Sequence, residues 1–122
     1  MSARNEALAV CSVDDLVYEL GVCVSVRGEA VALFRVKEDI FAIGNHDPYC
    51  DASVLSRGLV GSATIGGEEV PYVASPLRKH RFELQTGRSL DDASVCVGSY
   101  AIEVRQGEVF VGSLTHFGET AA

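Results

Sequence analysis

The stretch SPLRKHRFELQTG, from Ser75 to Gly87, follows a predicted strand directly but has no strand periodicity of its own. A proline lies near its start, and the glycine at its end suits a left-handed backbone turn. A second stretch, GNHDPYCDASVLSRG from Gly44 to Gly58, shares these features. We predict that both stretches are irregular loops, each beginning just after a buried strand.

The rest of the chain alternates between β-branched runs and short turns that contain glycine or charged residues. In YAIEVR, the clearest period-2 pattern, Tyr100, Ile102 and Val104 would share one face of a sheet. This pattern predicts an all-β, mostly antiparallel domain. The predicted strands are VCVSV (Val22 to Val26), VALFRV (Val31 to Val36), IFAIG (Ile40 to Gly44), LVGSATI (Leu59 to Ile65), VPYVA (Val70 to Ala74), YAIEVR (Tyr100 to Arg105) and VFV (Val109 to Val111).

One segment has helical signals. Ser12 can cap a turn begun by Asp14 and Asp15, and Gly21 would end a helix after DLVYEL. At 122 residues the chain can bury one hydrophobic core, so we expect a single domain over 1–122 with its core at about 10–112. Both ends, including the tail beyond Phe117, are expected to fray.

Composition excludes several classes of function. A net charge of −7 repels nucleic-acid backbones and acidic membranes, so neither is expected as a partner. The chain has no apolar run near the roughly 18 residues that would cross a bilayer. The first ten residues carry no secretory signal, which favours the cytoplasm. Four cysteines lack CxxC spacing, and we interpret Cys11, Cys23 and Cys96 as small core residues.

The two loops resemble those of Rieske-type iron–sulfur domains, in which two Cys and two His hold a [2Fe–2S] cluster. The family patterns are N-x-C-P-H-x-G-A-x-x-L in the first loop and C-P-x-H-G-x-x-F-x-x-x-T-G in the second. The resemblance implies the Rieske-type fold, with stacked antiparallel sheets and both irregular loops at one tip, to which the Ser12 signals would add one short helix. The retained residues are Asn45, Pro48, Ala52 and Leu55 in the first loop and Pro76, Phe82, Thr86 and Gly87 in the second.

The cluster-ligand positions hold other residues: Asp47 and Tyr49 in the first loop, and Ser75 and Arg78 in the second. These side chains supply neither thiolate nor imidazole, and arginine adds positive charge where a cation would lie. The sequence therefore predicts no cluster. As a replacement we expect an Asp47–Arg78 ion pair that joins the loops, with Tyr49 and Ser75 as hydrogen-bonding neighbours.

A clusterless Rieske-like domain with N-H-D-P in its first loop and S-P-L-x-K in its second resembles the small-subunit family of assimilatory NAD(P)H-dependent nitrite reductase. The resemblance extends from about Val10 to Val111, most clearly in ALFRV, AIGNHDPYCDASVLSRGLVG and VASPLRKHRFELQTGRSLDD. It implies a chain with no cofactor and no catalytic residue of its own. Its partner would be the large subunit, which would carry FAD, a [4Fe–4S] cluster and sirohaem and reduce nitrite to ammonium.

By analogy with the cluster loops of Rieske proteins, we expect the loop tip to contact the partner. The basic run RKHR, Arg78 to Arg81, could steer the chain toward an acidic surface, although a solvated turn would look the same. The candidate contacts are Asn45, His46, Asp47, Pro48, Tyr49, Cys50, Arg78, Lys79 and His80.

Two other functions stay open on the residues alone. One is a stand-alone interaction module that uses the same fold. The other is a small electron carrier with an atypical metal site at His46, Cys50 and His80, which offer three donors suited to Zn or Fe. The same three side chains could form a thiol–base pair. His116, near the tail, is expected to have no role.

Overall fold

A computed structural model of the chain describes residues 7–116. Eleven antiparallel strands form most of this part: β1 Leu8–Ser12, β2 Val22–Val26, β3 Glu29–Val36, β4 Asp39–Gly44, β5 His46–Asp47, β6 Ala52–Ser53, β7 Leu59–Ile65, β8 Glu68–Ala74, β9 Arg81–Glu83, β10 Ser99–Arg105 and β11 Glu108–His116. Two short 3-10 turns, Val13–Asp15 and Leu55–Arg57, complete the regular structure. The all-β prediction is confirmed.

The strands form a six-stranded sheet in the order β1-β11-β10-β4-β3-β2, a three-stranded sheet β7-β8-β9, and the small ribbon β5-β6. Each predicted strand is present. Sequence patterns missed β1, β9 and the ribbon; β9 and the two ribbon strands contain only two or three residues each, which is too short to show a period. Of the three residues predicted to share one face of β10, Tyr100 and Ile102 pack against the core, whereas Val104 is exposed near the end of the strand.

β3 is buried on both faces and connects two hydrophobic cores. Val31 and Leu33 belong to a first core, which the six-stranded sheet forms with Leu16. Ala32 and Phe34, on the opposite face, belong to a second core. That second core contains Ile43 of β4, Leu55 of the first loop, Val73 of β8, and Phe82 and Leu84 of the second loop. The loops are thus anchored by their own apolar residues.

The predicted helix is wrong beyond its first turn. Ser12 does cap that turn: its hydroxyl accepts the Asp14 N–H at 3.1 Å, and the Asp15 carboxylate accepts the Ser12 N–H at 2.9 Å. After Asp15 the chain instead runs beside β3, where Tyr18 pairs with Arg35 and the Glu19 N–H donates to the Arg35 carbonyl at 2.8 Å. Burial of Leu16 and pairing with β3 outweigh the local helix signals.

Several predictions concern residues at the ends. The predicted fraying of both ends, including the tail beyond Phe117, concerns residues that lie outside the described part of the chain, as does the side chain of His116.

All four cysteines are free, and Cys11 and Cys96 are half-buried. Cys23 is exposed on β2, so its interpretation as a core residue is wrong.

Candidate functional site

The two irregular loops meet at one tip, and aromatic side chains fill the space between them. Tyr49 of the first loop stacks on His80 of the second, with ring centroids 3.7 Å apart and planes 11° from parallel. The same ring lies tilted against Phe82 at 5.9 Å. The Tyr49 hydroxyl is 2.9 Å from the hydroxyl of Ser89, which lies beyond the second loop. Tyr49 therefore contacts two residues of the second loop and one residue beyond it.

Asp47 is the buried polar centre of the tip, with no exposed surface. Its carboxylate accepts the Tyr49 N–H at 2.9 Å, the Cys50 thiol at 3.2 Å and the Ser75 hydroxyl. Burial by itself would raise the pKa of Asp47. The three hydrogen bonds and the nearby His80 outweigh burial and hold the pKa below its ordinary value. Asp47 is therefore a carboxylate at neutral pH, satisfied by donors from both loops.

The expected Asp47–Arg78 ion pair does not form. Ion pairs among residues 7–116 join His46 to Asp51, Arg81 to Asp91 and Arg105 to Glu103. Arg78 is exposed. A buried carboxylate that already accepts three hydrogen bonds needs no guanidinium, and the Arg78 head stays in water at no desolvation cost. The loops are instead joined by Asp47 and Ser75.

Ser75 starts the second loop and is also buried. Its N–H donates to the His80 carbonyl at 2.9 Å, and its carbonyl accepts the Lys79 N–H at 3.0 Å, which closes the turn between them. Its hydroxyl donates to Asp47 across the tip. The backbone of Ser75 therefore shapes its own loop, and its side chain connects that loop to the other.

Asn45 holds the first loop from inside. Its amide donates to the Ser53 hydroxyl at 2.8 Å, and its side-chain oxygen accepts the Ser56 N–H at 2.7 Å. It is buried, as is Asp47. Both were among the predicted partner contacts. Because neither side chain reaches the surface, that part of the prediction is corrected: the two residues support the tip from within.

Cys50 has a protonated thiol. Burial raises its pKa, and the hydrogen bond to Asp47 and the charge of that carboxylate raise it further. A thiol is a weak nucleophile and a weak metal ligand until it ionises. His46, its predicted partner in a thiol–base pair, instead contacts Asp51 at 2.9 Å. Cys50 and His46 are thus each engaged with a different carboxylate.

The residues at the four ligand positions do not fit a [2Fe–2S] cluster. Asp47 is saturated by hydrogen bonds, the Tyr49 ring is stacked, Ser75 donates to Asp47 and Arg78 points to solvent. None is a thiolate or an imidazole. Within the described ranges, no three His, Cys, Asp or Glu side chains are grouped so as to hold a metal ion. The His80 Nδ1 atom is buried without a hydrogen-bond partner.

The exposed part of the tip is small, partly apolar and basic. Of the predicted contacts, His46, Pro48, Arg78 and Lys79 are exposed, while Tyr49, Cys50 and His80 are partly buried. Sequence reasoning missed Leu77, whose side chain is exposed between Pro76 and Arg78. An exposed leucine inside a basic loop is the signal that could have found it. The Arg81 side chain does not belong to this basic surface, because its guanidinium pairs with the Asp91 carboxylate at 3.2 Å.

Sequence reasoning also missed the segment of residues 88–98, which braces both loops. The Val97 N–H donates to the Gly87 carbonyl at 2.8 Å, and the Gly44 N–H donates to the Gly98 carbonyl at 3.1 Å. Ser89, which bonds Tyr49, is buried in the same segment. Its sequence, rich in Ser and Asp, resembles an ordinary surface loop and carries no signal of this role.

Known proteins are similar to this chain in sequence and in fold. Residues 7–112 match the family described as a Rieske-like [2Fe-2S] domain. The chain is 43% identical over 102 residues to the nitrite reductase (NADH) small subunit of Escherichia coli (strain K12), covering 82% of this chain and 91% of that one. A solution structure of the nitrite reductase [NAD(P)H] small subunit from Erwinia carotovora superimposes with a TM-score of 0.71 at 35% identity, over 95% of this chain and 88% of that one.

A third relative is a longer protein, the nitrite reductase [NAD(P)H] large subunit of Klebsiella oxytoca. It is 38% identical over 105 residues, which make up 86% of this chain and 11% of that one. Because the family match covers residues 7–112 and one relative is 43% identical, the chain belongs to the Rieske-like [2Fe-2S] domain family and is a homologue of the small subunit of NADH nitrite reductase.

Proposed function

We propose that this chain is the non-catalytic small subunit of a cytoplasmic NAD(P)H-dependent nitrite reductase, and that it works without a cluster in the conversion of nitrite to ammonium during nitrate assimilation. The observation that carries the proposal is the 43% identity to a nitrite reductase small subunit over 91% of that relative. The occurrence of a similar region inside a protein named as a large subunit supports the choice of partner. FAD, a [4Fe–4S] cluster and sirohaem would belong to that partner.

The chemistry of the tip supports a role in binding instead of electron transfer. A redox centre in this fold needs ligands that reach the space between the loops. Here that space holds the Tyr49–His80 stack and the buried Asp47–Ser75 hydrogen bond. Leu77, Arg78 and Lys79 are exposed on the second of these loops. A rigid interior with an apolar and basic exterior suits a protein interface.

Within residues 7–116, no helix is both long and apolar enough to cross a membrane. The proposed location in the cytoplasm rests on the sequence expectation and on the kinship to nitrite reductase subunits.

Reconstitution tests the proposal. Nitrite-dependent NAD(P)H oxidation is measured for the purified large subunit alone and after addition of this chain, with iron, zinc, sulfide and the visible spectrum determined on anaerobically purified chain. We expect tight association, a changed rate with the partner, no NAD(P)H oxidation by the chain alone, and colourless, metal-free material. Stoichiometric iron and sulfide would favour the electron carrier. Absence of association would favour a stand-alone interaction module.

A matched pair of variants tests the tip as the contact surface. Arg78→Glu reverses a charge on the exposed loop, and Arg105→Glu makes the same change on the distant β10–β11 hairpin. We expect Arg78→Glu to slow association with the large subunit several-fold, roughly 3- to 10-fold at low salt, and Arg105→Glu to leave it unchanged. Equal effects of the two variants would mean that net charge, and not the tip, governs association.

A further inference from the structure

A groove of about 460 Å³ opens between the turn that joins β3 to β4 and the hairpin of β7 and β8. Of its lining residues in the described part of the chain, Gln85 alone comes from the two irregular loops. The groove is therefore a feature separate from the contact surface proposed above.

The floor of the groove is apolar and continuous with the second core. Val36, Phe41 and Val60 line it and also pack against that core. On the sheet β7–β8, Val60 pairs with Val73, and the next pair on the same face is Ser62 with Pro71. Because this face extends past the last core residues, it stays uncovered where the groove opens.

The rim of the groove is acidic. Glu19, Asp39 and Glu69 line it, with Lys37 as the opposing cation. The Glu69 carboxylate is held in place, because its two oxygens accept the Ser62 hydroxyl at 2.7 Å and the Thr64 hydroxyl at 3.4 Å. Three carboxylates against one ammonium leave an excess of negative charge above an apolar floor.

The combination is complementary to a long cationic side chain. Lysine and arginine lay an aliphatic stem along apolar surface and place the charged head beside carboxylates. The residues around Glu19 also favour a protein, and not a small free cation, as the occupant of the groove. Val17, Tyr18 and Leu20 are each more than half exposed in the same segment, an apolar surface larger than a small ion would need.

We infer that this groove is a second docking site, which receives an arginine or lysine side chain, with apolar neighbours, from the large subunit. The inference rests on the proposed function, since it takes that subunit as the occupant. The chain would then contact its partner through two surfaces, the basic tip and the acidic groove. Two contacts of opposite sign would fix the orientation of the chain on its partner as well as its affinity.

Calorimetric titration of the large subunit with this chain at low and high salt tests the inference. The groove variant is Asp39→Asn/Glu69→Gln, which removes two negative charges while keeping the size of both side chains. The control is Glu103→Gln/Glu108→Gln, which removes the same charge from the exposed β10–β11 hairpin. We expect the groove variant to raise the Kd about tenfold and weaken its salt dependence, and the control to change the Kd less than about twofold.

The outcomes separate the two proposals. If the parent chain binds the large subunit and the groove variant and the control variant both bind as tightly as the parent, the groove is not a docking site and the proposed function stands. If the parent chain does not bind the large subunit at all, both proposals fail. If light scattering shows a self-associated chain that the groove variant dissociates, a second copy is the occupant and the inference is overturned. Micromolar binding of agmatine to the isolated chain would likewise overturn it, in favour of a small organic cation.

Discussion

At the scale of single residues, the tip depends on Asp47, a carboxylate that stands where a Rieske domain has a cysteine. It is fully buried and accepts hydrogen bonds from Tyr49, Cys50 and Ser75. A buried charge is stable only when its hydrogen-bonding capacity is met, and here both loops meet it. Asp47 therefore connects the loops in the way that the metal ligands connect them in cluster-bearing relatives of the fold.

Substitution Asp47→Asn should lower the free energy of unfolding by about 1–3 kcal/mol at pH 7. The new amide group would place N–H donors against the Cys50 and Ser75 donors. Urea unfolding followed by circular dichroism measures the change. Asp51→Asn is the control: its carboxylate side chain is 93% exposed, so its loss should cost less than about 0.5 kcal/mol. Equal losses for both variants would contradict the role of Asp47.

The difference between parent and Asp47→Asn should depend on pH. Hydrogen bonds lower the pKa of Asp47 in the folded state below its ordinary value of 3.8. A group with a lowered folded-state pKa contributes stability above its unfolded pKa and loses that contribution as pH falls through the folded value. We therefore expect the difference in unfolding free energy to be constant above about pH 5 and to shrink below pH 3.8. Asp91 and Asp92 also have lowered pKa values, but they titrate alike in both proteins and cancel.

Arg78→Met should leave the melting temperature nearly unchanged, because Arg78 is exposed and pairs with no carboxylate among the described residues. We expect a change in stability within about 0.5 kcal/mol. Thermal unfolding followed by circular dichroism checks this. A loss of several kcal/mol in the free energy of unfolding would instead support the Asp47–Arg78 ion pair that the ligand positions had suggested.

At the scale of elements, the segment of residues 88–98 locks the loops through close backbone contacts. Gly87 has a left-handed backbone with φ +78°, and a Cβ there would lie 2.4 Å from the Gly98 carbonyl oxygen. The Gly98 carbonyl in turn accepts the Gly44 N–H at the start of the first loop. Both loops therefore depend on a glycine that the Rieske pattern also carries at this position.

Gly87→Ala should be far more destabilising than the same change at Gly107. Both have a positive φ, but a methyl group added at Gly107 would have no atom within 4 Å, whereas one added at Gly87 would meet backbone. We expect a loss of about 3–5 kcal/mol at Gly87, where strain and steric overlap add, and about 1 kcal/mol at Gly107, where strain acts alone. Chemical denaturation of both variants measures the two costs. Similar costs would show that residues 88–98 shift freely away from the loop.

At the scale of the whole molecule, β3 couples the two cores. Consecutive residues Val31 to Phe34 alternate between the first core and the second, and all four are buried. The strand cannot leave one core without leaving the other. This architecture makes the sheets and the loop tip one structural unit, although they form separate sheets.

We expect unfolding to be a single cooperative transition. Far-UV circular dichroism reports the sheets. In a chain with Tyr18, Tyr72 and Tyr100 changed to Phe, tyrosine fluorescence reports the tip through Tyr49, since the chain contains no tryptophan. The two transitions in urea should coincide, and Phe34→Ala should lower both midpoints together through a loss of about 3–5 kcal/mol. An earlier fluorescence transition, with the dichroism unchanged, would show that the tip unfolds independently.

The sequence by itself determined the seven longer strands that show periodicity and the place of the two loops. Strand periodicity and turn residues are local properties, so VALFRV and LVGSATI could be recognised from neighbours along the chain. The spacing of Pro, Phe, Thr and Gly in the loops likewise survives the loss of the ligands, because these residues shape the backbone and not the metal.

Only the tertiary structure decided what joins the loops and where the helix signal ends. Asp47 was expected to pair with Arg78, but it bonds Ser75 instead, and the segment after Asp15 lies along β3 instead of coiling. Both outcomes depend on which distant groups become neighbours and lose water together. The free energy of burial belongs to the assembled contact and is not encoded in any local stretch, which is why spacing alone chose the wrong partner.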